Sequence, residues 1–358
     1  MKSGSRHTLR LALTGTGAAL LSASAAGLGE RAIIVSEFID DHPAVASVHA
    51  STIAETPQGL VAAWFGGSEE GAPDVGIWMS RQEGFAWSPP EEVANGASPK
   101  ERRRYPCWNP VLFARGAEDL LLFYRVGPSP STWWSYVRLS RDGGKTWIRE
   151  KRLPDSFLGP IKNKPIDLPN NVLLSGSSRE DAGWRVHLEW TENPFGQWFT
   201  SGPLNSSFAL PAIQPTLLAY DVERLQLLCR TKRGYIAESW STNGAVDWSS
   251  LRRTVLPNPN SGIDAVRLAA GQTVLAYNHT AKGRGVLNLA TSETGELWQA
   301  ACELENKPGS EFSYPAIIQT MDGMIHVTYT WERKKIKHVV IDPPRLEAIP
   351  MPDGKWPR

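Results

Sequence analysis

The sequence predicts an all-β chain, a six-bladed β-propeller with four-stranded antiparallel blades, and three observations carry that expectation. A motif ending in tryptophan recurs at a near-constant interval, a paired-strand pattern recurs six times, and the composition suits short strands with sharp turns. The 358 residues include 15 Trp, 31 Gly and 27 Pro, a mixture that favours many strands joined by tight turns over a helical fold. Length alone would suggest two domains, but a repeat architecture overrides that inference.

The tryptophan motif is clearest at Ser140-Arg141-Asp142-Gly143-Gly144-Lys145-Thr146-Trp147, which fits S/T-x-D-x-G-x-T-W at every fixed position. Weaker copies run from Ser80 to Trp87, Thr191 to Trp198, Ser241 to Trp248 and Thr291 to Trp298, so the tryptophans stand 50 to 60 residues apart. A period near 50 marks one supersecondary unit per repeat. The Ser/Thr hydroxyl and the Asp carboxylate can bond the backbone of a hairpin turn, Gly can supply a positive φ, and Trp can bury against the neighbouring unit. These roles are structural.

The second repeat precedes each tryptophan motif. Segments opening at His49, Asn109, Lys164, Gln214, Asp264 and Tyr314 each read as an apolar run, a turn and another apolar run, the signature of two short strands. A strand before each tryptophan motif and one after it bring each blade to four. The sixth hairpin has no tryptophan motif and ends in IKHVVIDP (residues 336–343). The early run Ala32-Ile33-Ile34-Val35 is expected to pair with it and close the ring, which removes an exposed sheet edge.

The rest of the chain bounds its chemistry. Lys2, Arg6 and Arg10 precede an apolar stretch, Leu11 to Leu21, and a small-residue site at Ala23-Ser24-Ala25. Residues 1–25 thus read as a signal peptide, implying a periplasmic or secreted protein; a leader on a cytoplasmic protein is the alternative. Residues 30–345 form the propeller and 346–358 a C-terminal tail. No other long apolar run suggests a membrane span. With 38 Lys+Arg against 37 Asp+Glu, the chain lacks the basic excess of a nucleic-acid binder. Cys107, Cys229 and Cys302 are too few and too scattered for a disulfide framework or a metal motif, and read as buried thiols. No cofactor motif is present.

Asp-box repeats at this period resemble the sialidase (neuraminidase) superfamily over roughly residues 30–343, and the run HASTIAETPQGLVAAWFGGSEEGAPDVGIWMSR from His49 is similar to a bacterial group known as predicted neuraminidases. The resemblance implies a six-bladed propeller whose innermost strands begin around an axial pocket. That nominates a polar ring: His49, Asn109, Lys164, Gln214, Asp264 and Tyr314. The ends of the second strands should approach the same axis and carry Arg125, Ser178, Arg230, Asn278 with His279, and Trp331. Arg104 and Tyr105 stand just ahead of Asn109. Arginine and lysine so gathered suit an acidic glycan, since guanidinium can hold a carboxylate through two hydrogen bonds.

Sialidases hold the sugar carboxylate with three arginines and use a Tyr nucleophile assisted by Glu, with Asp as acid/base. By this resemblance Tyr314 falls at the nucleophile, Arg230 at the second arginine, and Asp74 at the acid/base, with Glu69 and Glu70 as rivals. The departures are His49 at the first arginine and Gln214 at the assisting Glu. No third arginine has a clear counterpart; Asn278 and His279 occupy the comparable place. Gln214 cannot accept the phenol proton, whereas an ordinary His, titrating near about 6.5, could. The expected activity is therefore cleavage of the glycosidic bond of a terminal acidic sugar. Two alternatives stand beside it: a uronate lyase, with Arg230 neutralising the uronate and His49 and Tyr314 sharing base and acid roles, and a non-catalytic glycan binder. His187 reads as a packed strand histidine. Asn258 and Asn260, and the pair Trp133 and Trp134, read either as sugar contacts or as structural groups.

Overall fold

The inner strands are fully buried runs because each blade is covered on both faces. Leu225–Thr231 has no exposed residue, whereas the outer strand Arg149–Arg152 is mostly exposed. The computed structural model describes Met1, residues 27–98 and residues 100–357, so the expected signal peptide lies, Met1 aside, outside the described residues.

Six antiparallel sheets follow one another along the chain. Blade 1 comprises Ser47–Thr56, Gly59–Gly67 and Gly76–Glu83, with Ala86–Trp87 and Glu91–Ala94 both pairing on the last strand. Blade 2 comprises Cys107–Arg115, Asp119–Val126, Trp134–Ser140 and Arg149–Arg152. Blade 3 comprises Ile166–Leu168, Val172–Arg179, Arg185–Thr191 and Phe199–Thr200, and blade 4 Ala212–Ala219, Leu225–Thr231, Tyr235–Ser241 and Arg252–Pro257. Blade 5 comprises Asp264–Arg267, Thr273–Tyr277, Val286–Ser292 and Gln299–Asn306, with Ile349–Pro350 from the C-terminal segment as a fifth strand. Blade 6 comprises Phe312–Gln319, Ile325–Trp331 and Lys335–Ile341, and its outermost strand is Ile33–Phe38 from near the other end of the chain.

The closure expected from the sequence is thus present, with Ile33 opposite Ile341 and Phe38 opposite Lys337. The apolar cores lie between consecutive blades. Leu112 and Tyr124 meet Ala63 and Met79 between blades 2 and 1, and Leu275 and Ala290 meet Leu228 and Ile236 between blades 5 and 4. The three cysteines are buried and unpaired, and burial pushes their thiols up. Among the described residues no helix is long and apolar enough to cross a membrane.

The Ser140–Trp147 turn forms the hydrogen bonds its residue types suggest. Ser140 Oγ donates to Asp142 Oδ1 at 2.7 Å and accepts from Gly144 N at 2.8 Å. Asp142 also accepts from Thr146 N at 2.8 Å and Thr146 Oγ1 at 2.6 Å. Gly144, at φ 81°, lies so close to Met79 of blade 1 that a Cβ would fall 2.7 Å from its Cε, so the turn packs onto the preceding blade. Burial opposes ionisation of Asp142, but the bonds from Thr146 and Ser140 outweigh it and hold the carboxyl down at about 2. A carboxyl depressed in the folded state stabilises above its unfolded value, about 3.9, and loses that stabilisation as pH falls toward the folded one. Asp142→Ala is expected to cost about 1–3 kcal/mol at pH 7 in a denaturant titration, with the difference from the parent shrinking as pH falls from 4 to 2.

Candidate functional site

The inner ends of four blades share one distortion. The ladder slips by a residue between His49 and Thr52, beside Asn109, between Ile213 and Thr216, and between Ser313 and Ala316. Each slip contains a non-glycine residue in the left-handed region: Ala50 (φ 54°), Asn109 (37°), Gln214 (56°) and Tyr314 (54°). Such a conformation costs about 1–2 kcal/mol per L-residue and persists only where its surroundings enforce it. The bulge turns the side chain toward the axis. In blade 1 the left-handed residue is Ala50, so His49 stands one place ahead of the positions held by Asn109, Gln214 and Tyr314, a one-residue correction to the ring inferred from sequence.

Tyr314 is the centre of the cluster. Its phenol oxygen accepts from Arg230 Nη1 at 2.8 Å, and Gln214 Nε2 lies 3.5 Å away. The His49 ring packs on the Tyr314 ring with centroids 4.2 Å apart, and His49 Nδ1 bonds Thr330 Oγ1 at 3.0 Å. Gln214 Oε1 is buried without a partner. The two ends of an amide have the same shape, and turned over, Gln214 Oε1 would accept a hydrogen bond from the Tyr314 hydroxyl and be satisfied. Burial first, and then the charges of Arg333, Arg284, Arg230 and Lys162, drive the His49 imidazole well below its ordinary value. His49 is therefore neutral at physiological pH, and a weaker base than its residue type suggested.

Two of those cations had no place in the sequence reading. Arg284 and Arg333 both bond Glu311 Oε1 at 3.0 Å, and Arg284 Cζ stands 5.9 Å from the Tyr314 ring centroid. Burial works against ionised Glu311, but Arg333 and Arg284 prevail and hold its carboxyl below the ordinary range. Arg333 also pairs with Glu70, tying blade 6 to the loop of blade 1 that carries Asp74. Asp74 is exposed, and its carboxylate accepts from Ser68 N and Ser68 Oγ, each at 2.9 Å. Arg284, Arg333, Glu70 and Asp74 all lie between the second and third strands of their blades. Position in these loops is the signal that points to Arg284, Arg333 and Glu180, the last beside Trp184 and Arg230, where burial pushes its carboxyl up.

Other nominated residues belong to the scaffold. Arg125 is fully buried and donates to the carbonyls of Asn109, Leu158 and Pro160, so it offers nothing to a ligand. Asn278 donates to Val286 O and Phe312 O, and His279 bonds Tyr277 and packs against Trp356 of the C-terminal segment. Asp264 accepts from Thr216 Oγ1 (2.7 Å), Ile317 N (3.0 Å) and Lys164 Nζ (2.9 Å), which makes Asp264 and Lys164 inter-blade ties. Asn109 reaches Ile161 O at 3.4 Å. Arg104 donates to Asp74 O at 2.8 Å and pairs with Glu92, supporting the Asp74 loop from beneath. His187 is a packed strand histidine bonded to Glu189 at 2.8 Å, Asn258 orders a turn through Ser261, and Trp133 is buried against Trp108. Among the described residues no group of three or more His, Cys, Asp or Glu is arranged to hold a metal ion.

The family model of the BNR repeat-like domain matches residues 58–327. The chain belongs to that family. Its propeller is of the sialidase type. The Hadza microbial sialidase Hz136 superposes with a TM-score of 0.72 at 16% identity, covering 87% of this chain and 69% of that one. The NanB sialidase of Streptococcus pneumoniae gives 0.69 at 11% identity, covering 88% and 71%. The α-L-arabinanase of Penicillium chrysogenum gives 0.63 at 17% identity, covering 88% and 99%. These structural neighbours are glycoside hydrolases, and the likeness at such identities is one of fold. No curated protein sequence matches the chain.

Two measurements separate site from scaffold. Imidazole nitrogen shifts should show His49 neutral from pH 8 down to pH 6, with protonation only well below its ordinary value. Arg125→Met removes a donor from the buried carbonyls of Asn109, Leu158 and Pro160, of which Leu158 O keeps Ser135 Oγ at 2.8 Å, and is expected to destabilise the fold by about 3 kcal/mol or more. Arg230→Met should change thermal stability far less, while altering the Tyr314 environment.

Proposed function

We propose that this propeller is a carbohydrate-active enzyme that cleaves the glycosidic bond of a terminal acidic sugar in a glycan. The observation that carries the reading is the charge around Tyr314. Arg230 and Lys162 are buried, and among the described residues neither forms an ion pair. Glu180 stands beside Arg230 without forming an ion pair with it; buried charge that is incompletely matched is costly, and a ligand carboxylate would relieve it. Arg284 and Arg333, oriented by Glu311, add two more guanidinium groups on the blade 5 and blade 6 side. Three arginines thus stand near Tyr314, although two of them come from loops the sequence comparison did not use.

In this reading the arginines hold the sugar carboxylate, and Tyr314 attacks the anomeric carbon from the pocket floor. Gln214 orients the phenol but cannot take its proton as a carboxylate would. The positive charge of Arg230 and its neighbours favours the phenolate, and the phenol proton passes to water. The tyrosyl-sugar bond that forms is then broken by a second water, whose proton passes to the Asp74 carboxylate left after the leaving oxygen is protonated. Asp74, on its Ser68-braced loop, is the residue best suited to protonate the leaving oxygen; Glu70 is engaged by Arg333.

The uronate lyase stands second, supported by Gln214 where an assisting carboxylate was expected and by a neutral His49 with a lone pair. The depressed His49 weakens it, because removing a carbon-bound proton asks for a strong base. The glycan-binding alternative needs the cations but not the Tyr314 arrangement.

Incubation with sialyl-oligosaccharides and with glucuronate-containing oligosaccharides separates these readings. Release of free sialic acid, reduced at least about 100-fold in Tyr314→Phe, is the expected result. Ultraviolet absorbance from an unsaturated uronate, lost in His49→Ala, would establish the lyase instead. Binding of either glycan without turnover would leave a lectin-like protein.

A further inference from the structure

Lys162 lies in the connector between blades 2 and 3 and reaches Ile263 ahead of blade 5 and Tyr314 and Pro315 of blade 6. Its side chain is buried, at 4% exposure for the residue, and its ammonium nitrogen stands 5.9 Å from the Tyr314 ring centroid. It donates to Asn163 Oδ1 at 2.8 Å, to Ile263 O at 3.0 Å and to Pro315 O. Pro315 directly follows Tyr314, so Lys162 grips the backbone at the strained residue that aims the phenol. Three acceptors match the three protons of an ammonium; a neutral amine would leave one carbonyl bare. Gly262 keeps the approach open, since a Cβ there would stand 3.3 Å from Tyr314 Cγ and 3.4 Å from Lys162 Cε.

We infer that Lys162 is a positioning residue of the pocket, holding the Tyr314–Pro315 backbone in place and supplying from below a protonation-dependent part of the positive charge that attracts an anionic sugar. The inference rests on the acidic-sugar reading above and adds a regulator to it. The groups facing Lys162 are Lys164 on its own connector, Arg230 of blade 4, Asp264 of blade 5, Tyr314 of blade 6 and His49 of blade 1. Asp264 is paired with Lys164 at 2.9 Å and forms no ion pair with Lys162. Burial, reinforced by Lys164 and Arg230 and opposed by Asp264, brings Lys162 down to about 7. The amine is therefore charged below that pH and loses its charge as pH rises through it, whereas His49 is already neutral.

The test is calorimetric titration of the whole chain with sialic acid and, separately, glucuronic acid between pH 6 and pH 8.5. The wild type should bind the better of these anions more weakly as pH rises. Lys162→Met should bind at least about tenfold more weakly at pH 6 and show a flat profile. Lys162→Arg keeps its charge throughout and should bind at pH 6 as the wild type does, with a flat profile. If Lys162→Met does not fold, the contrast between the wild type and Lys162→Arg decides alone. Wild-type affinity that is flat over this range, or equal affinity in Lys162→Met, would overturn the inference while leaving the acidic-sugar reading standing. Failure of the wild type to bind either anion at any pH would overturn both.

Discussion

At the axis of the propeller the Asp264 carboxylate is the group on which four blades depend. It opens the inner strand of blade 5 and accepts bonds from Thr216 of blade 4, from the backbone of Ile317 in blade 6 and from Lys164 ahead of blade 3. Sheets arranged around an axis leave polar strand ends facing one another in a dry interior, and a buried donor or acceptor without a partner is costly. Asp264 resolves that problem through a single residue. The bulges of blades 1, 2, 4 and 6 each hold a left-handed residue, and in blades 2, 4 and 6 that residue is polar: Asn109, Gln214 and Tyr314.

Charge at the axis follows from the same geometry. Lys164 is matched by Asp264, and Arg284 and Arg333 are matched by Glu311 and Glu70. Arg230 and Lys162 have no such match among the described residues, and both lie against Tyr314. The surplus is local. The chain as a whole is nearly balanced at a formal charge of +1, so the two buried cations are a local excess and not part of a basic surface. Burial, helped by the same field, keeps His49 neutral.

Much of this was legible in the chain. The tryptophan spacing and the six paired runs specify blade number because each repeat must bury both faces against its neighbours. The pairing of Ile33–Phe38 with Lys335–Ile341 follows from a hairpin left one strand short. Tyr314 and Gln214 are legible because they open the paired runs of their repeats, and Arg230 because it stands near the end of the second run of the fourth. His49 was found one place off the bulge, since a β-bulge adds a residue without leaving a mark in the apolar pattern.

What the sequence determined by itself is the architecture and the inventory of polar residues near the axis, since strand periodicity and repeat length are local properties. Which of those residues are free to meet a ligand was decided only by the tertiary structure. Arg125, Asn278 and Asp264 look like ligands in sequence and prove to be bonded across blades, while Arg284 and Arg333 sit in loops of no regular length and converge on Glu311, with Arg284 beside Tyr314. The reason is physical: the value of a buried charge depends on its partners, and here those partners stand up to 263 residues away in the chain.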